Sequence, residues 1–318
     1  MSSCVVGIDV GGTKVLAGVV EGGQVLATSR RETPGRRVSE SAVEEALSEA
    51  LAEVADGRRV HAVGVAAAGF VDRSGERVRF APHLPWLDAP VRQRLEDRWQ
   101  VPVVVENDAT AAAHAEVALG AARGAETAVV VNLGTGIGGA AAIGGRVLRG
   151  HNGMAGEFGH MVVVPDGAPC ECGGAGCWEQ YASGNALQRV ARERMVGQPT
   201  LLAQMCDGDL ARLRGPMVTE AAEQGDLVAL EAFATVGEWL GRGLANLTAA
   251  FDPEVIVIGG GVAAAGERLL APARRVLERT VVGAGHRELP RVVPAELGAQ
   301  AGLIGAADLA LRALRSGR

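Results

Sequence analysis

Three of the chain's five cysteines fall within "CECGGAGC", residues 170–177, and His160 precedes them in "GHMVVVPDGAPC". The spacing C-x-C-x4-C with an upstream histidine supplies three thiolates and an imidazole, a closed ligand set for structural zinc. Glycines between Cys172 and Cys177 let a short loop fold around an ion. A disulfide is the poorer expectation, because three is odd and a reducing cytoplasm disfavours the bond. A nucleophilic thiol is poorer still, since nothing nearby singles out one of the three for activation. Zinc is therefore expected on His160, Cys170, Cys172 and Cys177, with no position open for a catalytic water. Cys4 and Cys206 have no partner by spacing and are expected in the core.

A zinc-bound imidazole spends one ring nitrogen on the metal and keeps the other for a second bond. Glu157 stands beside His160 in "GEFGH", and Glu179 follows Cys177 by two residues. Carboxylates and an imidazole that exchange hydrogen bonds with several hydroxyls describe a sugar site. The zinc loop is thus expected to orient His160 and Glu179 in an acceptor pocket. "VVVENDATAAA", residues 103–113, ends an apolar strand in three polar residues and opens a helix. Asn107 or Asp108 could cap that helix. A strand-end carboxylate is also a natural general base for a hydroxyl attacking a phosphoryl group, and Asp108 is expected in that role.

Two glycine turns, "DVGGTK" (9–14) and "GTGIGG" (134–139), could surround phosphate with backbone N–H groups. The expected clamp is Gly11, Gly12 and Thr13 on one side, with Gly134, Thr135, Gly136 and Gly138 on the other. Asp9 would hold Mg²⁺ through water. Lys14 is the only lysine, which hints that a compact ammonium matters there. Gly260, within the "GGG" that follows a buried strand, could let backbone approach an adenosine. "GTGIGG" also fits the dinucleotide fingerprint, but another "GG" arrives too soon for the helix that reading needs. No G-x-x-x-x-G-K-[ST] occurs, which excludes a P-loop.

The elements that must position these residues come in two matching series. Residues 4–28 and 127–149 each read strand, glycine turn, strand, "GG" turn, strand. That order is an antiparallel meander, with glycine supplying positive φ at the turns. Each copy continues as alternating helix and strand, including helical patterns over 39–56 and 226–251 and strands over 60–69, 101–107, 254–261 and 291–296. The expectation is an α/β fold of two similar domains facing each other across a ligand-binding cleft. A length of 318 residues suits two domains. The formal net charge of −6, without a basic run, argues against nucleic acid. "MSSCVVGIDV" has no basic leader and no stretch suits a spanning helix, so a cytoplasmic protein without a membrane partner is expected.

Together, "DVGGTK", "END", "LGTGIGG", "GEFGH" and "CECGGAGC" followed by Glu179 resemble the ROK family (repressors, open reading frames, kinases) along essentially the whole chain. Within it the pattern looks most like the bacterial ATP-dependent glucokinases. The resemblance implies two actin-like (ribonuclease H-like) domains, 1–120 with a returning C-terminal helix at 299–318, and 121–298 carrying the zinc loop. It implies phosphorylation of a hexose, with glucose leading, at the 6-hydroxyl by MgATP, and Asp108 as base. Gly69, Asn107, Asp108, Glu157, His160 and Glu179 would bind the sugar, and a homodimer or homotetramer would be usual. The alternatives are an N-acetylmannosamine, allose or fructose kinase, or a non-catalytic regulator of the family. A regulator's helix-turn-helix module would need room before the first strand, which begins by about Cys4.

Overall fold

The computed structural model describes residues 3–317; Met1 and Ser2, which begin the stretch read as leaderless, and Arg318 lie outside them. The chain divides into two compact units, Met1–Gly124 with Ala140–Gly156 and Glu296–Arg318, and Ala125–Gly139 with Glu157–Ala295.

The first unit opens with β1 (Ser3–Val10), β2 (Lys14–Glu21) and β3 (Gln24–Glu32), followed by α1 (Glu40–Ala55) and β4 (Arg59–Ala67). Ser39 caps α1 by accepting from Ala42 N–H. A small sheet of β5 (Phe70–Val71), β6 (Val78–Phe80) and β7 (Leu87–Ala89) follows, then α2 (Val91–Trp99), β8 (Val103–Asn107) and α3 (Asp108–Ala118). The main sheet runs β3-β2-β1-β4-β8. Its first three strands pair antiparallel, and β4 lies parallel to both β1 and β8.

The same order recurs. β9 (Thr127–Leu133), β10 (Ile137–Ile143) and β11 (Arg146–Val147) form the second meander. Five helices follow: α4 (Glu179–Ala182), α5 (Gly184–Met195), α6 (Leu201–Met205), α7 (Gly215–Glu223) and α8 (Leu227–Phe251). β12 (Val255–Gly259), α9 (Glu267–Thr280), β13 (Arg291–Pro294) and α10 (Ala301–Arg315) complete the chain. The second sheet runs β11-β10-β9-β12-β13, with β12 parallel to β9 and β13. The expected α/β class and duplicated meander are therefore present.

The glycines of the meanders do two different jobs. Gly22 and Gly23 (φ 59° and 83°) and Gly144 and Gly145 (φ 59° and 68°) take the left-handed conformations of tight hairpin turns. Gly11, Gly12, Gly134 and Gly136 have no positive φ, contrary to the expectation that every meander turn needs one. Close approach explains two of them: a Cβ on Gly12 would stand 2.5 Å from His83 Cβ, and one on Gly136 2.3 Å from Glu179 Oε2.

Helix α10 packs on β1, β4 and α3 in the same manner. A Cβ on Gly64 would meet the Ala306 carbonyl at 1.8 Å, and one on Gly305 the Ala111 carbonyl at 1.8 Å. A polar contact pins the helix: His114 Nε2 on α3 donates to Asp308 at 2.7 Å, and Arg312 Nε donates to the same oxygen at 2.5 Å. Burial works against the Asp308 carboxylate, but these two donors hold its pKa below the ordinary value. A depressed folded-state pKa adds stability above the unfolded carboxylate range and loses it as pH falls through the folded value. Asp308→Asn is expected to cost about 2 kcal/mol at neutral pH. Urea titrations should show that difference shrink as the solution is acidified below the carboxylate range. Among the described residues, no helix is long and apolar enough to cross a membrane.

Candidate active site

The cysteine loop is irregular backbone tied by two short bridges, Val162 to Cys177 and Pro169 to Ala175. Its four expected ligands converge: one ligand atom each from His160, Cys170, Cys172 and Cys177 lies within 4.8 Å of the others. Cys172 and Cys177 Sγ are 3.6 Å apart, and Cys170 Sγ is 3.7 Å from His160 Nδ1. Tetrahedral zinc with Zn–S of about 2.3 Å needs S–S edges of about 3.8 Å, so the donor set fits the ion in kind and spacing. The 3.6 Å sulfur separation is far outside a disulfide, and all five cysteines are free. Burial, then the neighbouring sulfurs, push the Cys177 thiol up to about 12. A bound cation would reverse that balance by stabilising the thiolates. Cys4 and Cys206 are buried, as expected.

Local packing sets the "GEFGH" turn, a single 3-10 turn at Phe158–His160. Phe158 lies over Gly139 and tilts against Phe251 with ring centroids 5.7 Å apart. Gly159 must be glycine, because a Cβ there would stand 2.2 Å from the Ile137 carbonyl. With His160 Nδ1 facing Cys170, its Nε2 lies 4.0 Å from Glu157 Oε2, leaving that nitrogen on the carboxylate side. Burial raises the Glu157 pKa, opposed by His160 and reinforced by Glu179. Glu179 Oε2 accepts from Ile137 N–H at 3.3 Å.

In the first unit, the two candidate caps of α3 separate by role. Asn107 is the cap, accepting from Thr110 N–H at 2.9 Å while its Nδ2 donates to the Gly69 carbonyl at 3.0 Å. Asp108 is the first helical residue, and its Oδ1 accepts from Asn107 Nδ2 at 3.1 Å and Ala109 N–H at 2.9 Å. Glu106, two residues before Asp108, is buried and lies 3.0 Å from Arg149 Nε, a partner that nothing in the sequence marks. Burial raises the Glu106 pKa, and Arg149 opposes the rise.

The first glycine turn is closed by Gly11 N–H donating to the Lys14 carbonyl at 3.0 Å and Thr33 Oγ1 donating to the Gly11 carbonyl at 2.7 Å. Burial raises the Asp9 pKa and Lys14 opposes it. A divalent cation beside Asp9 would favour its ionised form. His83, packed on Gly12, has no motif around it that would have drawn attention.

The second turn borders a cavity of about 540 Å³ lined by Gly134, Thr135, Asn185, Thr219, Pro216 and Val262, among others. Gly261 also lines it, next to the expected Gly260, whose φ of 84° permits close contact with the Leu133 backbone. Helix positions such as Asn185 and Thr219 carry no distinguishing spacing, so this wall was not legible beforehand. Apolar walls with a few amide and hydroxyl groups, and the Glu220 and Glu223 carboxylates among the lining, suit a nucleoside.

Residues 5–313 match the model described as the ROK family. A glucokinase of Streptomyces coelicolor is 43% identical over 96% of this chain and 96% of its own. The solved ROK family glucokinase from Streptomyces griseus, in complex with glucose and AMPPNP, is 44% identical with a TM-score of 0.89, covering 97% of this chain and 99% of that one. A ROK family transcriptional regulator, described as a homologue of the E. coli MLC protein, superposes with a TM-score of 0.88 at 26% identity. This chain is covered entirely by that match, and 80% of the regulator is.

Proposed function

As the chain belongs to the ROK family, we propose that it transfers the γ-phosphoryl group of MgATP to the 6-hydroxyl of D-glucose, giving glucose 6-phosphate and ADP. The observation that carries this is the near full-length match to an enzyme solved with glucose and an ATP analogue. The regulator shares the body at lower identity than the glucokinase, 26% against 44%, which favours the kinase reading.

Asp108 would take the 6-hydroxyl proton as that oxygen attacks the γ-phosphorus and the bond to ADP breaks. Its Oδ1 contacts support the role by holding the carboxylate in one orientation. Glu157, His160 Nε2 and Glu179 would bind sugar hydroxyls, joined by Asn107 and the backbone at Gly69. Gly11, Gly12, Thr13 and Lys14 would meet the phosphates with Gly134, Thr135, Gly136 and Gly138, while Asp9 holds Mg²⁺ through water. The cavity beside Thr135 would take the adenosine. Zinc held by His160, Cys170, Cys172 and Cys177 would supply structure alone, because all four positions are protein ligands. A cytoplasmic homodimer or homotetramer completes the reading.

The test is formation of glucose 6-phosphate from glucose with MgATP, compared with polyphosphate as donor. Product matching ADP one for one is expected. No product with either donor would remove the reading.

A further inference from the structure

Glu179 has a different partner on each carboxylate oxygen. Oε1 lies 3.2 Å from Cys170 Sγ and 3.7 Å from His160 Nδ1, bordering the four-ligand cluster. Oε2 accepts from Ile137 N–H at 3.3 Å and lies so near Gly136 that a Cβ there would stand 2.3 Å away. One side chain therefore spans the cysteine cluster and the second glycine turn. All the residues involved belong to the second unit.

The main chain makes the same connection. Cys177 is a ligand, Trp178 is fully buried with its indole N–H donating to the Trp239 carbonyl at 2.8 Å, and Glu179 opens α4. Helix α5 begins five residues later and bonds to the same turn. Gly184 N–H donates to the Gly134 carbonyl at 2.8 Å, and Asn185 N–H to the Thr135 carbonyl at 3.4 Å. Gly134 and Thr135 in turn line the cavity.

We propose that Glu179 is a positioning residue for the nucleotide turn, so that metal on the cysteine cluster sets nucleotide affinity even when no sugar is bound. The proposal rests on the reading of residues 134–139 as a phosphate loop. Its physical basis is chain entropy. Gly173, Gly174 and Gly176 leave the loop free to sample many conformations unless its ligands are gathered on one ion. A gathered loop fixes the start of α4, and with it the oxygen that holds Ile137 N–H. This role is separate from any contact between Glu179 and a sugar hydroxyl.

The experiment is calorimetric binding of Mg²⁺ with a non-hydrolysable ATP analogue to the zinc-loaded protein, without sugar. Zinc content and thermal midpoint are recorded for each sample. Glu179→Ala should weaken nucleotide binding about tenfold, the effect of losing one charge-assisted hydrogen bond. Glu179→Gln keeps an oxygen to accept from Ile137 N–H and should recover most of the affinity. Wild-type protein stripped of zinc should weaken as Glu179→Ala does. Gly136→Ala displaces the same oxygen from the other side without touching the cysteine loop, and should also weaken binding. It serves as the readout if Glu179→Ala does not fold. Wild-type affinity in folded Glu179→Ala, or in Gly136→Ala, would overturn the proposal and leave Glu179 a sugar ligand alone. Wild-type protein that binds no nucleotide would overturn the phosphate-loop reading itself, and the coupling with it.

Discussion

Asp108→Asn is expected to lower kcat by about 10²–10⁴-fold while the KM for glucose stays within about threefold, since a positioned general base is worth about that much. Asparagine is nearly the same shape, and its Oδ1 can still accept from Ala109 N–H as the carboxylate does. The helix does not depend on residue 108 for its cap, because Asn107 already accepts from Thr110 N–H. Losing a negative charge from the first turn of α3 costs about 0.3–1 kcal/mol, too little to unfold the unit. What the substitution removes is the proton acceptor. Steady-state kinetics with a thermal melt on the same preparation checks this. Near-normal kcat would remove Asp108 as the base.

Cys172→Ser should reduce bound zinc from about one per chain to near zero and raise the KM for glucose by about tenfold or more. The Cys172 side chain is exposed, so serine leaves no cavity and the effect is that of losing a thiolate ligand. His160 would lose the constraint on its Nδ1, and the residues before Glu179 would lose their anchor. Cys206→Ser is the control for general disturbance, because that cysteine is buried outside the cluster and should keep full metal. Metal analysis and glucose kinetics on both variants provide the check. Full metal in Cys172→Ser with unchanged glucose affinity would break the link between the loop and the sugar pocket.

The cysteine cluster is legible in the sequence because metal ligation demands particular residue types within short stretches, and Cys170, Cys172 and Cys177 meet that demand locally. The duplicated meander is legible for a similar reason, since tight hairpins require glycine where φ is positive, as at Gly22–Gly23 and Gly144–Gly145. Long-range contacts carry no such local mark. Ile137 and Glu179 are 42 residues apart, and nothing in either segment announces that an amide of one meets a carboxylate of the other. The same holds for Glu106 with Arg149 and for Gly12 with His83. Strands β5, β6 and β7 span only two or three residues each, too short for an alternating pattern to register. Glycines at positions 12 and 136 are visible as glycines, but only the packed structure shows that they make room for a side chain rather than bend the backbone.

Phosphorylation of glucose with MgATP is the activity proposed for this chain. It is tested most directly by measuring kcat/KM for glucose, mannose, fructose, allose, N-acetylglucosamine and N-acetylmannosamine on one zinc-containing preparation. A clear preference for glucose is expected, with discrimination against close analogues built from differences of about 1–3 kcal/mol each. Turnover of none of these sugars, by folded protein of full zinc content, would contradict it.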